Sequence, residues 1–143
     1  MFFDVDINYL AILVAALIPM VLGMPWYDPH TPTGKAWMKW MKIDHNDPAS
    51  KAQAKKEMPK AMIGMFISAL VMSCVLAHFI VFTRATTFLL GIETGFWLWL
   101  GFIATSMASA VFFTKKPWKI FWIDSGFYLV ALVLMGGVLA IWK

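Results

Sequence analysis

The chain has 143 residues, 61% hydrophobic and 14% charged, with a formal charge of +4. A soluble domain of this size has no interior large enough for so much apolar surface, so the composition points to a lipid-embedded fold. The charge does not mark a nucleic-acid binder, because the lysines lie in two blocks beside apolar runs with one Arg in the chain and no basic face interleaved with aromatics.

Met1–Asp6 is short and acidic, and no basic stretch precedes the first apolar run, so a cleavable secretory signal is not expected. The first span is expected over 7–25, where INYLAILVAALIPMVLG carries no charge and is long enough to cross the hydrocarbon. Ala11 and Ala15 have the small-xxx-small spacing of a close helix contact, and Pro19 should bend the helix. Trp26 and Tyr27 fit an interfacial aromatic belt.

The long polar segment 26–60 follows, expected as a cytoplasmic loop. DPHTPTG, Asp28 to Gly34, is turn material. Thr33 is placed to cap a short helix over Lys35–Lys42, where Trp37, Met38, Trp40 and Met41 alternate with Lys35, Lys39 and Lys42. This mixture predicts an amphipathic helix in the headgroup layer, with Trp37 and Trp40 as lipid anchors and Lys35 and Lys39 snorkelling. Asp47-Pro48 reads as a cap and first-turn proline opening Pro48–Glu57, and Pro59 as the start or kink of the next helix.

Three more spans are expected over 61–83, 94–114 and 120–142, joined on one side by an inner loop 115–119 with Trp118 at its boundary. Small-residue pairs recur at Gly64/Ser68, Ala69/Ser73, Ala104/Ala108, Ser106/Ala110 and Gly136/Ala140, so the helices are expected to pack on one another. The fold class is therefore an all-α integral membrane four-helix bundle in a single domain. Seven lysines lie between Lys35 and Lys60, and Lys115, Lys116 and Lys119 lie in the third connection, whereas the second has only Arg84 and the far termini only Lys143. By the positive-inside rule both lysine-rich loops face the cytoplasm and both termini face out.

The ordered set of INYLAILVAALIPMVLG with WY, then GKAWMK, MPKAM, WLGF, KPWKIFWIDSGFYLV and MGGVLAIW resembles the bacterial and archaeal membrane-protein family catalogued as domain of unknown function 1761. The resemblance covers about Asn8 to Trp142, and the proline-rich Asp28–Thr33 turn departs from it. What it implies is a four-helix membrane protein of unassigned activity, placed here in the bacterial cytoplasmic (inner) membrane.

Candidate chemistry gathers in three places. Asp124 is an intramembrane carboxylate, a functional hypothesis by default. With Pro117 and Lys119 just before it, it lies in the second turn of its helix, about 8 Å below the boundary. There the helix terminus favours a carboxylate, a lysine can reach it, and Tyr128 at i+4 can donate to it. It reads first as a structural anchor, second as a proton or ion relay. On the opposite side His78, roughly 27 Å from Lys60 by helix rise, is level with Asp6, Asn8 and Glu93. This set could bind a divalent metal or tune His78 as a proton acceptor, but it reads first as polar groups collecting where helices meet headgroups. In the loop, Asp28, His30, His45 and Asp47 are metal-ligand types without a metal-site spacing, and they read more naturally as turns and caps.

The lone Cys74 in an apolar run offers neither a disulfide nor a thiolate metal site, and no phosphate loop, nucleophile elbow, CxxC or HExxH is present. Eight Trp and twelve Phe, with Phe96, Trp97 and Trp99 crowding one span, exceed what four helices can bury. The expected function is a non-catalytic accessory or packing subunit, with no cofactor of its own, that binds lipids or pigments at its surface and docks on other membrane subunits or on itself. An oligomeric transporter lined by Asp124, His78 and Glu93 is the alternative, and a metal-dependent membrane enzyme stands last.

Overall fold

The computed structural model describes residues 5–142; the acidic start over residues 1–4 and Lys143 lie outside them. The chain is 81% helical, with no strand among the described residues. It runs α1 (Tyr9–Trp26), α2 (Pro32–Trp40), α3 (Pro48–Phe82), α4 (Phe88–Leu98), a π-helical stretch (Trp99–Ala104), α5 (Thr105–Phe113) and α6 (Trp118–Ile141). Four of these units are long and apolar enough to cross a membrane: α1, α3, the continuous α4–π–α5 rod that forms the third span, and α6. By length and composition this is a multi-pass membrane protein.

Local chemistry sets most boundaries. Asn8 opens α1, its Oδ1 accepting from the backbone N–H of Leu10 at 3.0 Å and Ala11 at 3.1 Å. Asp47 caps α3 by accepting from Ser50 N–H at 3.0 Å, with Pro48 in the first turn. Of the two readings of Pro59, the start of a new helix does not hold: α3 runs 35 residues as one helix with Pro59 inside it. Proline removes a single backbone bond, and the Ala, Lys, Gln and Glu around it are strong helix formers. The first turns of α3 are exposed from 51 through 60, so this polar extension precedes the apolar part. The cap of α2 is Thr31, not Thr33; its Oγ1 accepts from Gly34 N–H at 3.1 Å, and the helix ends at Trp40 because Lys42 turns left-handed at φ 56°. The third span begins at Phe88, capped by Thr87, ahead of the expected start at 94.

The centre of the bundle is α6, which packs against every other helix. Its closest neighbour is α4, which runs antiparallel to it, and glycine makes the approach. A Cβ at Gly91 would lie 2.1 Å from the Gly136 carbonyl oxygen, and one at Gly95 would lie 2.3 Å from that of Leu132. Backbones this close gain dispersion and weak Cα–H···O contacts, the main sources of helix affinity where no water is present. The π stretch follows directly. Residues five apart stack in a π-helix, so Trp99 and Ala104 both face inward, and the Trp99 indole N–H donates to the Ser125 carbonyl at 2.7 Å.

Across the bundle, α1 buries Ala11, Ala15 and Ala16 where it packs on α3 and α6, and the fully buried Ser73 hydroxyl of α3 donates to the Ile12 carbonyl at 2.9 Å. Of the small-residue pairs, Ala69/Ser73 and Gly136/Ala140 lie at contacts as expected. Gly64/Ser68 is exposed, and a Cβ on Gly64 would meet nothing within 4 Å. The spacing marks a narrow helix face, but not whether another helix reaches it.

Candidate functional site

The most elaborate polar arrangement ties the polar loop to the start of α6. Lys116, just before the helix, reaches Asp124 with its ammonium 2.6 Å from Oδ2, and the Tyr27 hydroxyl donates to Oδ1 at 3.0 Å. Both ends of the ion pair are largely buried, at 19% and 14% side-chain exposure. Asp124 is therefore engaged through both oxygens, by a cation and by a phenol, in a largely buried place.

The expected lysine partner is present: it is Lys116, which precedes the helix and can fold back, whereas Lys119 is exposed in its first turn. The phenol that donates is Tyr27, from 97 residues away, and not Tyr128, which packs its ring on Phe127 at 5.3 Å.

Tyr27 is held in place from several directions. Its ring meets Trp37 edge-on at 5.2 Å and Phe127 at 5.4 Å, and the adjacent Trp26 indole donates to the Ile123 carbonyl at 3.0 Å. Burial first, and then the Asp124 carboxylate, push the Tyr27 hydroxyl above the usual phenol range, so it stays a donor. The turn beneath is rigid. Thr33 donates to the Trp26 carbonyl at 2.6 Å and Thr31 to that of Asp28 at 2.8 Å, while a Cβ on Gly34 would lie 1.9 Å from the Asp28 oxygen. Only glycine fits there. Trp26, Tyr27 and Trp37 are thus joined in one aromatic latch that fastens α2 to α6, while Trp40, Lys35, Lys39 and Trp118 are exposed.

The other sequence candidates are dispersed. Asp28 accepts from the His30 backbone N–H at 2.7 Å and sits 3.0 Å from its Nδ1. Those two contacts, the backbone one larger, hold the Asp28 carboxyl below its usual range. The rings of His30 and His45 lie 6.3 Å apart, but Asp47 is occupied capping α3. His78 donates from Nδ1 to the Cys74 carbonyl of its own helix at 2.7 Å. Asp6 and Asn8 border a shallow cleft beside Leu139 and Trp142, whereas Glu93 lines a separate one between α3 and α4. Among the described residues no three His, Cys, Asp or Glu side chains gather as a metal site.

Sequence reasoning anticipated a lysine for Asp124 without naming Lys116, and missed the reach of Tyr27 and Gly91 with Gly95. The glycine pair carried a signal: it has the same four-residue spacing as the pairs noticed elsewhere, but Gly91 lies before the apolar run taken as the third span.

Chemically, the latch neutralises and fixes; it presents no nucleophile, and both Asp124 oxygens are occupied. The model of a family described as Protein of unknown function (DUF1761) matches residues 10–140. No curated protein and no solved structure matches the chain.

Proposed function

The chain belongs to the DUF1761 family, and from that premise we propose that it is a non-catalytic accessory subunit that docks on a larger membrane assembly through its third span. The observation that carries this reading is the contrast in burial: only 6% of the third span's most apolar window is covered within the protein. Lipid alone would suit exposed Leu or Phe. It suits less well the exposed Gly101, Thr105, Ser106 and Ser109, which are the residue types that let a second helix approach closely. A Cβ on Gly101 would meet nothing within 4 Å, so the space for such a helix is open.

In this reading the lysine-rich end lies in the cytoplasm, both termini lie outside in a bacterial inner membrane, and α2 rests in the headgroup layer. The latch then holds the loop against the bundle while the third span stays free to engage its partner. A transporter draws less support, because the two clefts described above contain only Glu93 of the three residues that would line its path.

Cysteine cross-linking in native membranes tests the proposal, in a Cys74→Ser background. Thr105→Cys and Ser109→Cys are expected to capture another membrane chain, while Leu13→Cys on α1 and Val71→Cys on α3, both exposed, are not. Equal capture from all positions, or none from the third span, overturns it.

A further inference from the structure

At the end of the bundle remote from the lysine-rich loops, a cleft of about 440 Å³ opens between the last turns of α3 and the α4–π rod. That size falls within the roughly 300–1,000 Å³ of small-molecule sites. Phe79, Trp97, Leu98 and Phe102 give it an apolar wall, on which lies one carboxylate, Glu93. Glu93 makes no hydrogen bond or ion pair with another described residue, and the Trp97 ring beside it is 59% exposed.

The polar groups of the cleft share one property. The Thr83 hydroxyl lies 2.9 Å from the Phe79 carbonyl and the Thr94 hydroxyl 2.9 Å from the Leu90 carbonyl. The two oxygens are 3.3 Å apart and either can donate to the other. Each single proton has an acceptor within the protein whichever it takes, so what the hydroxyls offer the cleft is lone pairs. An ionised carboxylate likewise only accepts. A ligand head that satisfies this lining must donate, and opposite charge together with an open indole face favours a cation.

The apolar wall adds a second requirement. From Glu93 to Phe102 the span advances about 13 Å, deeper into the hydrocarbon, so a ligand filling the cleft carries a chain as well as a head. We infer that this cleft binds a membrane amphiphile with a primary ammonium head, of the aminophospholipid class, the ammonium on Glu93 and the chain along Trp97 to Phe102. The inference stands on the α3-facing side of the rod, whereas docking stands on its open small-residue positions, so either fails without the other.

The test is native mass spectrometry of the full chain extracted from vesicles of equal phosphatidylethanolamine and phosphatidylcholine. The quaternary head of the second lipid has the charge but no N–H. The wild type is expected to retain phosphatidylethanolamine at least ~10-fold over phosphatidylcholine, as loss of a charge-assisted bond implies. Glu93→Gln should abolish the preference with the melting temperature unchanged, since it removes no internal contact. Leu90→Trp, which fills the cleft and keeps Glu93, should release both lipids. Equal retention by the wild type, a preference surviving in Glu93→Gln, phosphatidylethanolamine retained by Leu90→Trp, or displacement by millimolar O-phosphoethanolamine would each overturn the inference.

Discussion

The third span and α6 have 26 and 24 residues, and mean hydropathies of 1.7 and 1.9 in their most apolar windows. Yet 56% of that window is buried within the protein in α6, against 6% in the third span. Hydropathy measures the cost of leaving lipid, and the two helices share it. Burial depends on which faces let a neighbour's backbone approach. In α6, Gly136, Gly137 and Ala140 lie where neighbours press, while Gly101 and Ser109 of the third span lie where no neighbour arrives. The difference is therefore one of position along similar sequences: one helix is the hub, the other a half-attached rim.

The largest effect is expected where the hub is fastened to the loop. Asp124→Ala leaves the Lys116 ammonium buried and unpaired, which costs about 3–5 kcal/mol, read as a fall in thermal midpoint in detergent. The double substitution Lys116→Met with Asp124→Leu should recover most of that, because the desolvation cost disappears with the charges. If Asp124→Ala melts like the wild type, the loop is not held by this pair.

The next test divides the rim itself. Gly91→Leu forces a side chain onto the Gly136 carbonyl, where backbone and not a flexible chain end must move, and should cost about 2–3 kcal/mol. Gly101→Leu, ten residues on in the same span, faces open space and should stay within about 0.5 kcal/mol. Equal effects at the two glycines would erase the distinction between attached and free halves.

Tyr27→Phe probes the latch through pH. It removes a hydrogen bond to a charged group, about 1.5–3 kcal/mol near neutrality. The folded hydroxyl titrates above its ordinary 10.0, so its contribution is fully present below pH 10 and is lost as pH rises beyond it. Melting curves of the wild type and Tyr27→Phe should therefore converge on the alkaline side of pH 10. Curves that stay parallel there would mean the phenol is not held against Asp124. On the acid side, Asp28 has a lowered pKa, so its contribution is present above the ordinary 3.8 and fades only as pH falls below it.

How much of this could be read beforehand follows from the range of each cause. Apolar runs and caps are local, and the four apolar helices, the Asp47-Pro48 start and a lysine partner for Asp124 were legible in neighbouring residues. Pro59 misled only as a helix start, because a proline rule weighs one residue, whereas the surrounding helix formers act together across it. Tyr27 could not be matched to Asp124 from spacing, since only the packing of α1 beside α6 brings residues 97 apart into contact. The π stretch was equally hidden, because WLGF reads as ordinary α-helix until Trp99 has a carbonyl to reach.

The smallest expected effect lies inside the hub, at Ser125. The residue is fully buried and its hydroxyl has no hydrogen-bond partner among the described residues, while its carbonyl accepts from the Trp99 indole. An unsatisfied buried hydroxyl costs about 1–3 kcal/mol, but removing it also leaves a void close to the size of one oxygen atom. These terms oppose, and the backbone bond to Trp99 survives the change. Ser125→Ala should therefore be neutral or stabilising by up to about 1 kcal/mol in a detergent melt, whereas Ser73→Ala, which strips a buried donor from the Ile12 carbonyl, should destabilise by a similar amount. Two serines with the same burial and opposite signs would show that the hub is held by satisfied contacts and not by burial alone. A loss at Ser125 as large as that at Ser73 would mean that its hydroxyl has a partner in the folded bundle.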